Sequence, residues 1–268
     1  MQTVHIDTSI QIERFKAFQK AQIVEDALKV FGFKSTSSYS KLEFKRVWLK
    51  RLAYLYSATE KVNRTDELIG YITDHLGSHP GHRRKLCTSL QAIQSFLSKI
   101  NEALSPEAQL IRLRIHLRNA ILGSYDLWDS SITYEYNGSE CIRAMEKPKS
   151  LASGKIEVSI PECKRSKIQC KIHTFYQKKQ KIFTQVRVAI EKIGDKASDE
   201  LKETANIISK AEKDSEYLCN SKVCYLISDT LIAIEGLDMD CFAANNDKEW
   251  ILLSNVLGKE LLNPIRNQ

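Results

Sequence analysis

The chain begins with a short β-branched run, Thr3 to Ile6, that stops at an acid, Asp7. A strand this short at the start of a sequence must find partners from elsewhere, and the C-terminus offers them. There, helix-like and strand-like segments alternate: Asp229 to Gly236 reads as a helix and Met239 to Ala244 as a strand. Lys248 to Asn255 reads as a helix stopped near Gly258, and Glu260 to Leu262 as a last strand before Pro264. Alternation of this kind predicts a mostly parallel sheet covered on both faces by helices. Parallel sheets place their ligand crevices beyond the carboxyl ends of the strands. Asp7 follows the first strand and Asp247 follows the strand near residue 242, so both acids are expected at that edge.

Between the two ends the pattern is largely helical. Ile10 to Phe31 carries apolar residues at helical spacing and ends at Gly32, and Phe33 to Tyr39 reads as a second strand. Ser40 and Glu43 have the spacing of a capping box for the next helix. From Lys41 to about Gly123 the pattern is helical, with breaks near 77–81 and at Ser105-Pro106. After Leu122 the composition shifts toward Gly and Ser. Thr133 to Tyr136 and Lys155 to Ile160 look like strands, and helical character returns from Ser198 to Tyr217. The expected organisation is a discontinuous domain, 1–123 with 196–268, and a basic, partly β insertion at 124–195.

No apolar run approaches the roughly 20 residues needed to cross a bilayer, and the first residues lack the pattern of a signal peptide. Seven cysteines at irregular spacing fit reduced thiols in a cytoplasm. The net charge of +7 permits an anionic partner without proving one. Between Cys163 and Ile190 lie Lys164, Arg165, Lys167, Lys171, Lys178, Lys179, Lys181 and Arg187, with no acid among them. Phe175, Tyr176 and Phe183 are interleaved. Positive charge would hold phosphates, aromatic faces could stack on unpaired bases, and Arg46 adds positive charge on the helical region. Such a run is also what a solvated face looks like. Cys141, Cys163, Cys170 and His173 offer zinc-binding atom types, but at a spacing unlike compact zinc sites.

Four motifs give the chain a family likeness. The strand ending in Asp7-Thr8-Ser9 resembles the opening motif of PIN-domain nucleases. The segment from Ser35 to Glu43 is similar to their second motif, which ends in a helical glutamate. Asp229-Thr230-Leu231-Ile232-Ala233 resembles the third, and Asn245-Asn246-Asp247-Lys248-Glu249-Trp250 the fourth. The resemblance covers roughly residues 1–60 and 220–265. Asn245 stands where the family usually has Thr or Ser, and the stretch from Glu43 to Asp229 is longer than in compact members.

The resemblance implies a three-layer PIN-like α/β sandwich with a helical region and a basic insertion. It implies a metal-dependent endonuclease, usually an endoribonuclease, that hydrolyses phosphodiesters with a metal-activated water. Asp7, Glu43, Asp229 and Asp247 would hold Mg²⁺ or Mn²⁺, with Thr8, Ser9 and Asn245 supporting them. Mutually repelling carboxylates need a cation, and Mg²⁺ prefers oxygen ligands and phosphate substrates. Small members of the family are often held in check by an inhibitory protein partner. Two other readings stand beside this one: a nucleic-acid-binding or scaffold protein that keeps the fold without cleavage, and a structure-specific DNA nuclease. Each acid taken singly also has a bland role, as a helix cap or turn residue.

Overall fold

The computed structural model describes residues 2–15, 19–77, 82–98, 104–141, 146–160, 170–245 and 247–265. Strand β1 (Thr3–Ile6) is followed by helices α1 (Thr8–Phe15) and α2 (Gln19–Leu28), and then by β2 (Phe33–Ser37). The span expected as one helix is thus two, and they pack against each other. Helix α3 (Ser38–Phe44) runs through a π-helical turn, Lys45–Leu49, into α4 (Lys50–Thr59). Then come α5 (Thr65–Gly77), α6 (Arg83–Leu97), α7 (Pro106–Leu122) and α8 (Ser124–Ser131). The central part continues with β3 (Tyr134–Tyr136), β4 (Lys149–Ser150), β5 (Ile156–Glu157), α9 (Lys171–Ile193) and α10 (Asp199–Lys213). The chain closes with α11 (Ser221–Leu226), α12 (Ser228–Glu235), β6 (Cys241–Ala243), α13 (Asp247–Leu257) and β7 (Glu260–Leu262).

The central sheet has five strands in the order β3-β2-β1-β6-β7, and every pairing in it is parallel. The chain steps outward one way from β1 to β2 and β3. It steps outward the other way from β6 to β7, so β1 and β6 flank the point where the order reverses. In an open parallel sheet a crevice forms there, outside the carboxyl ends of the strands. The register Ile6↔Ala243 brings those two ends level, and the Asp7 amide extends the ladder by donating to the Ala243 carbonyl at 2.9 Å.

Strand residues alternate between the two faces. Val4, Ile6, Cys241 and Ala243 pack with Ile10, Val24, Leu28 and Phe31 on the α1–α2 face. Phe242 points the other way, into a larger core with residues of α3, α9, α10, α12 and α13. The result is the expected three-layer α/β sandwich. His5 also points to this second face and is fully buried, its Nδ1 2.9 Å from the Ser35 hydroxyl. Gly236 makes room for it, since a Cβ there would lie 2.4 Å from the imidazole Cγ. A third core, built on Phe44, Trp48, Leu52, Leu113 and Trp128, holds α4 to α8 together as a helical body beside the sheet.

The described part of the 124–195 stretch packs against the rest of the chain. Its strand β3 is an edge of the central sheet, pairing Ser35↔Tyr134, and its longest element, α9, is a helix. Ile172, Phe175, Tyr176, Phe183, Val186 and Ile190 of α9 are buried in the same core as Phe242 and Trp250. Gly- and Ser-rich composition marks local turns there, but the apolar face of α9 still has to be covered, and the sheet covers it.

Candidate metal centre

Asp7 sits where β1 ends and α1 begins. Its Oδ2 accepts from the Ser9 amide at 2.9 Å and from the Ser9 hydroxyl at 2.6 Å, which closes the turn and caps the helix. Its Oδ1 is buried and has no hydrogen-bond partner. The capping role and a buried, unpartnered acceptor therefore coexist in one side chain.

Glu43 reaches the same place from α3. The N-cap of that helix is Ser37, which accepts from the Tyr39 amide at 2.9 Å. The Ser40–Glu43 capping box does not form, because Ser40 lies inside the helix and its hydroxyl has no partner. Glu43 is instead held by Thr8, whose hydroxyl donates to Oε2 at 2.8 Å, and by a hydrogen bond with Ser228. Asp229 lies in the first turn of α12, next to that serine. Oxygen atoms of Asp7, Glu43 and Asp229 all lie within 4.8 Å of one another.

A fourth acid, Glu249, joins the group. Asp247 opens α13, and its side chain lies outside the described part of the structure. Glu249, two residues on, hydrogen-bonds Asp229 and brings its charge to bear on Asp7 as well. The packing of α13, with Trp250 against Phe242, turns Glu249 into the crevice. Asn245 joins through its amide, which donates to the Ser9 hydroxyl at 3.0 Å, while its side-chain Oδ1 is buried without a partner. Thr8, Ser9 and Asn245 thus sit as support groups around the acids.

These acids perturb one another. Burial raises the Asp7 carboxyl above the ordinary aspartate range, against the lowering effect of its Ser9 and Thr8 hydrogen bonds. Burial, then the Asp7 charge, pushes Glu43 up to about 7. Asp229 is raised well above its ordinary value by burial, by the hydrogen bond with Glu249 and by the charges of Asp7 and Glu43. The group therefore retains protons that isolated carboxyls in water would have lost, and a cation could take their place. The set is all oxygen, with two buried acceptor atoms unpartnered, which fits Mg²⁺ or Mn²⁺ far better than a soft metal. The crevice has a volume of about 680 Å³ and opens past Val186 and Ile190 of α9, Tyr225 and Lys248.

The basic stretch fares differently. Lys164, Arg165 and Lys167 lie outside the described residues, as does Cys163. Lys171 pairs with Glu140, and Arg187 pairs with Glu191 and Glu212. Lys178 and Lys181 are exposed on α9 and Lys179 is half-buried. The interleaved aromatics do not stack on anything outside the protein: Phe175, Tyr176 and Phe183 are core residues. Their spacing is that of the buried face of a helix, and helical periodicity is the signal that distinguishes them from a base-stacking surface. Among the described residues, Cys141, Cys170 and His173 do not come together as a metal-binding group. No helix among them is long and apolar enough to cross a membrane. Searches against protein-family models, curated proteins and solved structures found no match to this chain.

Proposed function

We propose that this protein is a metal-dependent endonuclease that hydrolyses phosphodiester bonds, with RNA as its substrate. The observation that carries this reading is the meeting of Asp7, Glu43 and Asp229 within 4.8 Å, at the sheet edge where β1 and β6 part. Three carboxyls drawn from distant parts of the chain, one with a buried unpartnered oxygen, make a poor hydrophobic core and a good cation site. The resemblance of the four sequence motifs to those of PIN-domain nucleases supports the same reading, since those motifs bring the same acids.

Asp7, Glu43 and Asp229 would hold Mg²⁺ or Mn²⁺, with Glu249 and Asp247 beside them. When bound, such an ion supplies Lewis acidity toward water and phosphate. The chain's own residues do the rest. Thr8 and Ser228 fix the Glu43 carboxyl through their hydrogen bonds, and Ser9 ties Asp7 to the Asn245 backbone. Such supporting bonds set how the acids present themselves to an ion. We place its action in the cytoplasm, where cysteine thiols outside any disulfide would stay reduced.

The test is cleavage of labelled single-stranded RNA and DNA with Mn²⁺ or Mg²⁺, with wild type beside Asp7→Asn. Asn is nearly isosteric and can still accept from Ser9, so the fold should survive. Metal-dependent cleavage of RNA that disappears in the variant is the expected result. DNA cleavage alone would reassign the substrate. No cleavage by wild type, together with no Mn²⁺ binding at millimolar concentration, would leave a binding or scaffold role on this fold.

A further inference from the structure

Arg46 stands beside the acid crevice, near enough for its charge to favour the ionised form of Glu43. It leaves the chain in the π-helical turn Lys45–Leu49, three residues after that acid. Overlong turns of this kind interrupt α-helices frequently at functional sites. Its guanidinium lies over the ring of Tyr225, with Cζ 4.2 Å from the ring centroid. Its Nη1 is buried and has no hydrogen-bond partner. Tyr225 itself is 40% exposed and Leu226 47%, and both line the crevice that the acids occupy.

A guanidinium stacked by its face on an aromatic ring keeps its N–H donors in the plane of the group, where they can meet a phosphate in a fork. Stacking also removes much of the rotational freedom that a long side chain would otherwise lose on binding. An arginine held this way, with its Nη1 lacking a hydrogen-bond partner, is set for an anion that arrives from outside. A tyrosine with two-fifths of its surface open offers an apolar face to a base.

We infer that Arg46 and Tyr225 grip the nucleotide beside the cleaved phosphodiester: Arg46 binds its phosphate, and Tyr225 both orients Arg46 and stacks the base. The assignment deepens the nuclease reading and rests on it for the identity of the ligand. It replaces the buried aromatics of α9 with an aromatic that a strand can reach.

The experiment is binding of a fluorescent single-stranded RNA oligomer in EDTA, followed by anisotropy across a range of salt concentrations. On a single strand, each phosphate contact adds about 0.7 to the slope of log affinity against log salt. Arg46→Gln should lower that slope by about 0.7 and weaken binding about fivefold near physiological salt. Tyr225→Ala should weaken binding about tenfold through lost stacking, with a smaller change in slope. Tyr225→Phe, which keeps the ring, should restore affinity to within about twofold of wild type. Tyr134→Ala, at a 51% exposed tyrosine on the edge strand β3, serves as the comparison and should bind as wild type does. Tyr225 is half-exposed, so its variants give a reading even if Arg46→Gln folds poorly. Unchanged affinity and slope in both Arg46→Gln and Tyr225→Ala would overturn the assignment, and so would a wild type that binds no RNA. Because the assay contains no metal, its outcome is separate from cleavage. Wild type that binds with the expected slope but never cuts refutes the nuclease and keeps the grip, whereas wild type that cuts with mutants that bind normally does the reverse.

Discussion

Replacing Glu43 by Gln should make the metal-free protein less sensitive to alkaline pH and, in the same step, nearly blind to divalent cations. Glu43 is buried with Thr8 on its Oε2, and burial and the Asp7 charge raise its carboxyl from an ordinary 4.5 to about 7. The folded value lies above the unfolded one, so the protonated form is the one the fold prefers. Its stabilising effect is complete below about pH 4.5 and is lost as pH rises through about 7. The difference corresponds to about 3 kcal/mol. In a chain of this size that is a fall in Tm of roughly 6–12 °C.

The amide introduced by Glu43→Gln would not titrate, and its carbonyl could still accept from Thr8. Between about pH 5 and about pH 8.5, in EDTA, wild type should therefore lose about 3 kcal/mol more than Glu43→Gln. Glu235 is also raised to about 7 by burial, but it is present in both proteins and cancels in the comparison. Addition of Mn²⁺ at about 100 times its Kd should return about 2.7 kcal/mol to wild type at the upper pH, and far less to the variant. Urea denaturation followed by circular dichroism measures both effects. Parallel pH profiles, or equal stabilisation of the two proteins by Mn²⁺, would refute the reasoning that a cation relieves crowded carboxyls here.

Three further outcomes rest on other contacts. Glu249→Gln should weaken Mn²⁺ binding about tenfold by calorimetry, because Glu249 bears on both Asp229 and Asp7; an unchanged affinity would remove it from the centre. Gly236→Ala should cost about 2–3 kcal/mol in urea denaturation, since the new Cβ would fall 2.4 Å from the Cγ of a fully buried His5. Phe183→Ala should destabilise by about 3–5 kcal/mol and leave RNA affinity in the folded fraction unchanged, as suits a fully buried ring; a stable variant with lost affinity would return the α9 aromatics to the substrate.

Much of this architecture can be read locally. The run Thr3 to Ile6 is β-branched and short, Gly32 stops a helix, and Pro106 starts one behind its Ser105 cap, whose hydroxyl accepts from the Ala108 amide. Each signal acts over a few residues, which is why the strands β1, β2, β6 and β7 fall close to where local pattern puts them. Asp7, Glu43 and Asp229 are legible as well, since strand ends and helix starts in a parallel sheet point to one edge.

Other features are settled only when distant segments meet. Ser37 rather than Ser40 caps α3, because the end of β2 fixes where the chain turns. Glu249 meets Asp229 because α13 packs with Trp250 buried against Phe242, and that contact is invisible in the local sequence around Glu249. The strand β3 joins β2 across a gap of about a hundred residues, mostly helix, so composition alone separates it from the sheet it completes. Arg46 and Tyr225 are far apart in sequence and meet over 4.2 Å in space. What the sequence determined by itself was the order of elements and the acids at their ends, through interactions of a few residues' reach. The partners of those acids, and which aromatic rings a strand of nucleic acid could touch, were decided by tertiary packing, because burial and contact are properties of surfaces that only the assembled fold creates.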